Sequence, residues 1–377
     1  MDIMEEKEVF VQEYKEENGI ETEIDDSAVD ENDSIYFSIS SFGADYTVDG
    51  LIKRLEKKKI IVPEFQRRYV WDIKKASRFI ESLIIGLPVP GIFLSRDAIE
   101  TGKDDASAGM SVPHLIIDGQ QRLLSLQRFY KGFFGEKKFR LTGVCEELNG
   151  KSYDELTPDD QGRLDDAIIH ATIIKQESPD KDNSSIYMVF ERLNTGGMLL
   201  QPQEIRACIY HGEFNNLLNE LIKVPAWRSL FKKENPRMKE QEMILRFFAL
   251  YFTHNDYKKG LKYLLNSFMF KNKDLQLYDK PYLTDLFKNA ITLIVNAKGN
   301  DAFRRGNAVN AALFDSIMIG VANRLQMEDM TVEECRDKYD ELMKDIAYME
   351  NSTYSTADEK PLKERIRMSI EKFSNNH

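Results

Sequence analysis

Three short segments in the first half of the chain gather polar side chains where a packed core has no use for them. The most concentrated is Leu115-Ile116-Ile117-Asp118-Gly119-Gln120-Gln121-Arg122, followed by Leu123-Leu124-Ser125-Leu126. An apolar strand runs into Asp-Gly and then into an amphipathic helix, so the helix amides and the positive end of its dipole meet the strand's C-terminal edge. That is a natural phosphate site. Gly119 lets the backbone approach an anion, and Asp118 is placed to hold Mg²⁺ or a water. Arg122 can neutralise phosphate charge, while Gln121 or Gln120 orients an attacking water or a phosphate oxygen. A plainer reading makes Asp118 an N-cap and Arg122 its helix partner four residues on, which leaves the two glutamines without a role.

The second segment is Pro63-Glu64-Phe65-Gln66-Arg67-Arg68-Tyr69-Val70-Trp71. Gln66, Arg67 and Arg68 offer many donors with Glu64 the sole neighbouring acid, and Tyr69 and Trp71 offer flat faces. Guanidinium forks suit phosphate oxygens and aromatic faces suit bases; a surface ion pair and a tryptophan anchoring a helix to a sheet account for the same residues. The third segment runs from Phe190-Glu191-Arg192-Leu193-Asn194-Thr195-Gly196-Gly197 to Leu200-Gln201-Pro202-Gln203-Glu204-Ile205-Arg206. Asn194, Gly196 and Gly197 tolerate positive φ, and Pro202 suits a first helical turn, so a helix-turn-helix connection is expected. The clustering of Asn194, Glu204 and Arg206 around that turn adds a possible binding role.

Other chemistries lack their residues. There is no Gly-x-x-x-x-Gly-Lys-Ser/Thr loop, no Gly-x-Gly-x-x-Gly fingerprint and no Gly-x-Ser-x-Gly elbow. His114, His170, His211, His254 and His377 stand singly, and Cys145, Cys208 and Cys335 form no Cys-x-x-Cys pair. Zinc is therefore not expected, and the cysteines read as free thiols in a reducing cytoplasm.

These segments need elements to hold them. Strands and helices alternate up to about residue 180: a strand at Ile35 to Ile39, a helix from Val48 to Lys59, a strand at Ile60 to Pro63 and a helix from Ile73 to Ile85. Strands at Gly91 to Ser95 and His114 to Ile117 follow, then a helix from Gly119 to Tyr130, a strand at Phe139 to Val144, a helix near Pro158 to Ile168 and a strand at Thr172 to Gln176. From Ser184 onward the pattern is helical almost throughout, including Lys239 to Phe252, Pro281 to Val295, Val309 to Leu325 and Val332 to Met349. The expected fold is α+β, a mixed-sheet N-terminal domain followed by an all-α domain. The 377 residues then divide into an acidic disordered leader at 1–33, an α/β nucleotide-binding domain at 34–200 and a helical domain at 201–377.

Charge distribution supports that division. The formal net charge is -11, yet residues 1–33 carry 14 Asp and Glu against 2 Lys, leaving the remainder close to neutral. A solvated arm is the plain reading, and a polyanionic arm competing for an anion groove is the sharper one. With 42% hydrophobic residues and a mean hydropathy of -0.46 the chain reads as soluble. No apolar run approaches a membrane span, so no membrane partner is expected.

Taken in order, Val62-Pro63-Glu64-Phe65-Gln66-Arg67-Arg68-Tyr69-Val70-Trp71, Ile117-Asp118-Gly119-Gln120-Gln121-Arg122 and Phe190-Glu191-Arg192-Leu193-Asn194-Thr195-Gly196-Gly197 resemble the N-terminal domain of GmrSD-type restriction proteins. That family looks like a branch of the ParB/sulfiredoxin-like superfamily. The resemblance covers roughly residues 35–210 and implies a domain that binds and often hydrolyses nucleoside triphosphates in prokaryotic defence against modified or phage DNA. It carries over Asp118, Gln121 and Arg122 as catalytic, with Asp118 near Mg²⁺. Gln66, Arg67, Arg68, Gly119 and Gln120 carry over around the phosphates, with Asn194 and Gly196 closing the pocket; Trp71, Gly197 and Arg206, from the segments read above, complete the expected nucleotide-binding set. Two-module relatives add a His-Asn-His nuclease, whose spacing is missing from residues 211–377, so DNA cleavage by this chain alone is not expected. A nucleotide-driven switch that partners DNA, a separate nuclease subunit or a second copy is one expectation; a nucleotide- or DNA-binding module without turnover is the other.

Overall fold

The computed structural model describes residues 14–17, 20–23, 38–62, 69, 71–96, 113–178, 184–193, 201–231, 233–258, 260–306 and 308–374. Strands β1 (Tyr14–Glu17) and β2 (Ile20–Glu23) come first, then β3 (Ser38–Thr47), helix α1 (Val48–Glu56), β4 (Ile60–Ile61), α2 (Ile73–Ile84), β5 (Ile92–Ser95) and β6 (His114–Asp118). Next are α3 (Gln120–Lys131), the hairpin of β7 (Phe133–Phe134) and β8 (Lys137–Lys138), α4 (Pro158–Asp166), β9 (Ile168–Ser178), α5 (Ser184–Leu193) and α6 (Pro202–Ile209). The rest is α7 (Glu213–Leu221), α8 (Pro225–Leu230), α9 (Lys239–Thr253), α10 (Leu261–Lys271), α11 (Lys280–Lys298), β10 (Arg304–Arg305), β11 (Ala308–Asn310), α12 (Ala311–Met327), α13 (Val332–Leu342), α14 (Ile346–Asn351) and α15 (Glu359–Phe373). The chain forms two compact units, one of residues 35–209 and one of residues 210–377 together with 1–34.

In the first unit five strands form a mixed sheet in the order β3-β9-β5-β6-β4. β9 runs antiparallel to β3 and parallel to β5, β5 runs antiparallel to β6, and β6 runs parallel to β4. One face carries Ile92, Leu94, Ile116, Ile169, Ala171 and Ile173, which pack with Leu51, Ile80, Leu123 and Leu126 from α1, α2 and α3. Period-two alternation along the strands delivers these residues to one side, and the helices bury their apolar stripes against it. The helix starts are fixed by side-chain caps: the Gly50 amide donates to Thr47 Oγ1 at 3.1 Å, and the Lys75 amide to Asp72 Oδ1 at 2.7 Å. The α+β class expected from the sequence is the class observed.

Several elements differ from expectation. Phe139 to Val144 is not a strand, although Phe139 and Leu141 are buried as its alternation required. Leu141 instead exchanges backbone hydrogen bonds with Lys151 and Gly150, closing a loop on itself rather than joining a sheet. The helix expected over Val332 to Met349 is two, because the Asp345 side chain accepts from the Tyr348 amide and starts a new one. Helix α6 belongs to the first unit rather than to a domain beginning at residue 201.

The second unit is helical around α9 and α12, whose residues are buried on nearly every side. Trp227 lies within 6 Å of Phe231, Phe287 and Phe314. Arg246 Nη2 meets Asp315 Oδ2 at 2.5 Å inside this core. The unit also holds a sheet in the order β1-β2-β11-β10, with β2 parallel to β11. The acidic leader, expected as disordered, thus contributes two strands; its remaining residues lie outside the described ones.

Helix α4 is tied to α3 by a carboxylate shared between two phenols. Asp165 accepts from Tyr130 at 2.5 Å and from Tyr153 at 2.9 and 3.0 Å, and the two rings stack at 4.4 Å. Burial, reinforced by the bond to Asp165, pushes the Tyr153 phenol up to about 12 and Tyr130 higher still. A phenol raised in the folded state stabilises fully below its ordinary value of 10.0 and loses that contribution as pH rises through about 12. The melting temperature is therefore expected to fall more steeply between these pH values in the native protein than in a Tyr130→Phe, Tyr153→Phe double variant. Parallel alkaline melting curves check this.

Candidate functional site

The site is built where β6 passes into α3. Along β6, Ile116 faces the helix-side core opposite Leu94, and strict alternation would turn Asp118, two residues later, into the same core. A bulge prevents this. Between Phe93 and Leu94 the register shifts, so that Phe93 pairs with Asp118 while Leu94 pairs with Ile116. The extra residue, Ile117, is absorbed on β6, and the Asp118 side chain emerges half exposed on the face opposite the helices.

Gly119 then makes the corner with φ of +100°, a backbone conformation that L side chains rarely adopt. A Cβ at this position would lie 2.5 Å from Ile92 Cγ2 and 3.2 Å from Arg122 Nη2. Gly119 provides no side-chain cap, so the start of α3 presents first-turn amides and the positive dipole end to whatever lies before it. Arg122 closes one side of that position. Its Nη2 donates to Asp118 Oδ2 at 2.6 Å and to the Gly91 carbonyl at 2.9 Å, tying β6, α3 and the entry to β5 together. The guanidinium is nearly buried, and its Nε has no partner among the described residues.

A second set of contacts brings the segment after residue 68 onto α3. The Trp71 amide donates to Gln121 Oε1 at 3.3 Å, and the Tyr69 hydroxyl lies 2.8 Å from Ser125 Oγ, which donates to the Gln121 carbonyl at 2.7 Å. The Arg128 guanidinium stacks over the Tyr69 ring at 3.7 Å. Burial pushes the Tyr69 phenol above its ordinary value. Trp71 meets Phe79 edge-on, with the Lys75 ammonium 5.1 Å from its ring centroid, so it anchors α2 as well as bordering Gln121.

Asp118, Gly119, Gln120, Gln121 and Arg122 thus form one junction, with Trp71 joined to it through Gln121. Arg206 is buried in α6, where it contacts Gln203 and the Tyr187 ring of α5. Gln66, Arg67, Arg68, Asn194, Gly196 and Gly197 lie outside the described residues. Sequence reasoning passed over Gly91, Tyr69's partner Ser125, and Arg128. Ser125 was readable as the residue one turn after Gln121, but nothing in Pro88-Val89-Pro90-Gly91 announces a carbonyl that Arg122 would need.

Among the described residues no three His, Cys, Asp or Glu side chains group to hold a metal. Asp118 is the carboxylate at the junction; its Oδ2 serves Arg122, and Oδ1 accepts no hydrogen bond among the described residues. One carboxylate oxygen fits Mg²⁺ bound together with phosphate oxygens and water, the usual arrangement in phosphoryl-transfer sites.

One family model matches part of the chain. Residues 49–211 match the GmrSD restriction endonuclease, N-terminal domain. This stretch of the chain is a GmrSD-type N-terminal domain. The matched residues run from α1 to just beyond α6, nearly the whole of the first unit and every described element of the junction. No curated protein matches the chain. The GmrSD-type domain ties the chain to restriction, and among the described residues no helix is long and apolar enough to cross a membrane.

Replacing Gly119 by Ala in the GmrSD-type domain is expected to cost about 2–5 kcal/mol, from left-handed backbone strain plus the displacement of Ile92. Urea denaturation measures it; an unchanged midpoint would mean that the start of α3 does not have this geometry.

Proposed function

We propose that the GmrSD-type domain binds a nucleoside triphosphate with its phosphates at the start of α3, and hydrolyses it as the switch of a restriction or phage-defence system acting on DNA. The observation that carries this reading is the start of α3 at Gly119: a helix start with no side-chain cap, flanked by a nearly buried guanidinium, at a corner packed so closely on Ile92 that only glycine fits. Such a corner favours an anion through oriented amides and the helix dipole, and Arg122 adds a charge that is already oriented by Asp118 and Gly91.

In this reading Asp118 would hold Mg²⁺, which supplies charge neutralisation to the phosphates when bound. Arg122 stabilises the charge that builds on the transferred phosphoryl oxygens, and Gln120 or Gln121 orients the attacking water. One feature favours binding without turnover: Asp118 Oδ2 and Gln121 Oε1 are both engaged, with Arg122 and the Trp71 amide. A ligand-gated module, rather than an enzyme, would keep these contacts fixed throughout.

Phosphate release from each of the four nucleoside triphosphates with Mg²⁺, with and without DNA, separates the two. Turnover that falls by about 100-fold or more in Asp118→Asn and Arg122→Gln variants, with circular dichroism unchanged, is the expected result. No release, but nucleotide-dependent thermal stabilisation that Arg122→Gln abolishes, would establish the switch without hydrolysis. The absence of both signals would overturn the nucleotide reading.

A further inference from the structure

The sheet of the first unit has a second face, and one half of it is open. Register places its residues without ambiguity, since directly paired residues share a face. Asp118 pairs with Phe93, Phe93 with Thr172, and Thr172 with Gly43. On the same face His170 pairs with Asp45. Ser95, Leu115, Ile117 and Ile174, further along this face, are buried. Asp118, Gly43, His170 and Asp45 are exposed, and Phe93 and Thr172 are half-buried.

Two glycines keep this half flat. A Cβ on Gly91 would lie 2.7 Å from the His170 carbonyl oxygen, and one on Gly43 would lie 2.8 Å from His170 Cε1 and 3.4 Å from its Nε2. The imidazole therefore rests over Gly43. Its Nδ1 lies 2.8 Å from Asp45 Oδ1, and in the tautomer that donates this proton to the carboxylate Nε2 is left as an acceptor. The groups that approach these glycines are the His170 ring at Gly43 and the His170 carbonyl at Gly91, so both positions are kept bare by β9 itself. The face is left with an exposed imidazole and the half-buried Phe93 ring on the same side as Asp118.

From Asp118 the face runs one strand spacing to Phe93 and two, about 10 Å, to β9, which carries His170. That places a ring and an imidazole beyond the phosphate corner, where a sugar and base would follow the phosphates. We propose that this face seats the nucleoside, with the base against the Phe93 ring and His170 Nε2 hydrogen-bonded at the far end, while the phosphates occupy the start of α3. The inference rests on the nucleotide reading above and adds to it the residues that meet the sugar and base. Asp45 acts as a positioning residue for His170.

Calorimetric titration of the full chain tests this with two probes, the nucleoside triphosphate and inorganic tripolyphosphate. Phe93→Leu and His170→Ala are each expected to weaken the nucleotide by about ten-fold or more, the scale of a lost stacking contact, while leaving tripolyphosphate binding and the melting temperature unchanged. Arg122→Gln should weaken both probes. Nucleotide affinity unchanged in Phe93→Leu and His170→Ala would overturn the inference and leave the phosphate site standing, as would an equal loss of both probes in these variants. A native chain that binds neither probe would overturn the nucleotide reading and this inference with it.

Discussion

Arg122 is the interaction on which the rest of the junction depends. One guanidinium nitrogen bonds the carboxylate that ends β6 and the carbonyl that precedes β5, while its own backbone belongs to the first turn of α3. Three elements that meet at a single corner are thereby fixed relative to one another. The Asp118 carboxylate is engaged with Arg122, and no side chain caps the helix start. A charge-assisted bond of this kind contributes about 1.5–3 kcal/mol.

The bulge in β6 and the glycine after it serve the same end by different means. The bulge turns Asp118 away from the helix-side core, and Gly119 lets the chain reverse into α3 against Ile92. Both are local departures from regular structure at the point where a strand edge meets a helix start, where ligands of mixed α and β domains commonly bind.

The sequence made the core of this junction readable because its signals are local. An apolar strand, Asp-Gly, and a helix with its apolar stripe on Leu123 and Leu126 occupy adjacent positions, and the fold class follows from the same alternation. What it concealed depends on partners distant in sequence. The bulge exists only against β5, so no pattern within residues 114–118 reveals it. Gly91 read as the first residue of a strand, and its carbonyl acquires a role only when Arg122 arrives across 31 positions. His170 read as a solitary histidine because Asp45 lies 125 positions away on β3. Phe139 to Val144 misled in the opposite sense: its alternation reflects burial of Phe139 and Leu141 in a closed loop that pairs with no strand. The acidic leader was legible in charge but not in structure, since β2 needs β11 as its template.

The central claim is that phosphate oxygens occupy the corner before α3 and that Arg122 faces them. A crystal structure of the full chain with Mg²⁺ and a non-hydrolysable nucleoside triphosphate tests it most directly. The account predicts a phosphate within hydrogen-bonding distance of the first-turn amides of α3 and of the Arg122 guanidinium, with the Asp118 to Arg122 pair intact. A nucleotide bound elsewhere, with the Gly119 corner filled by solvent alone, would contradict it.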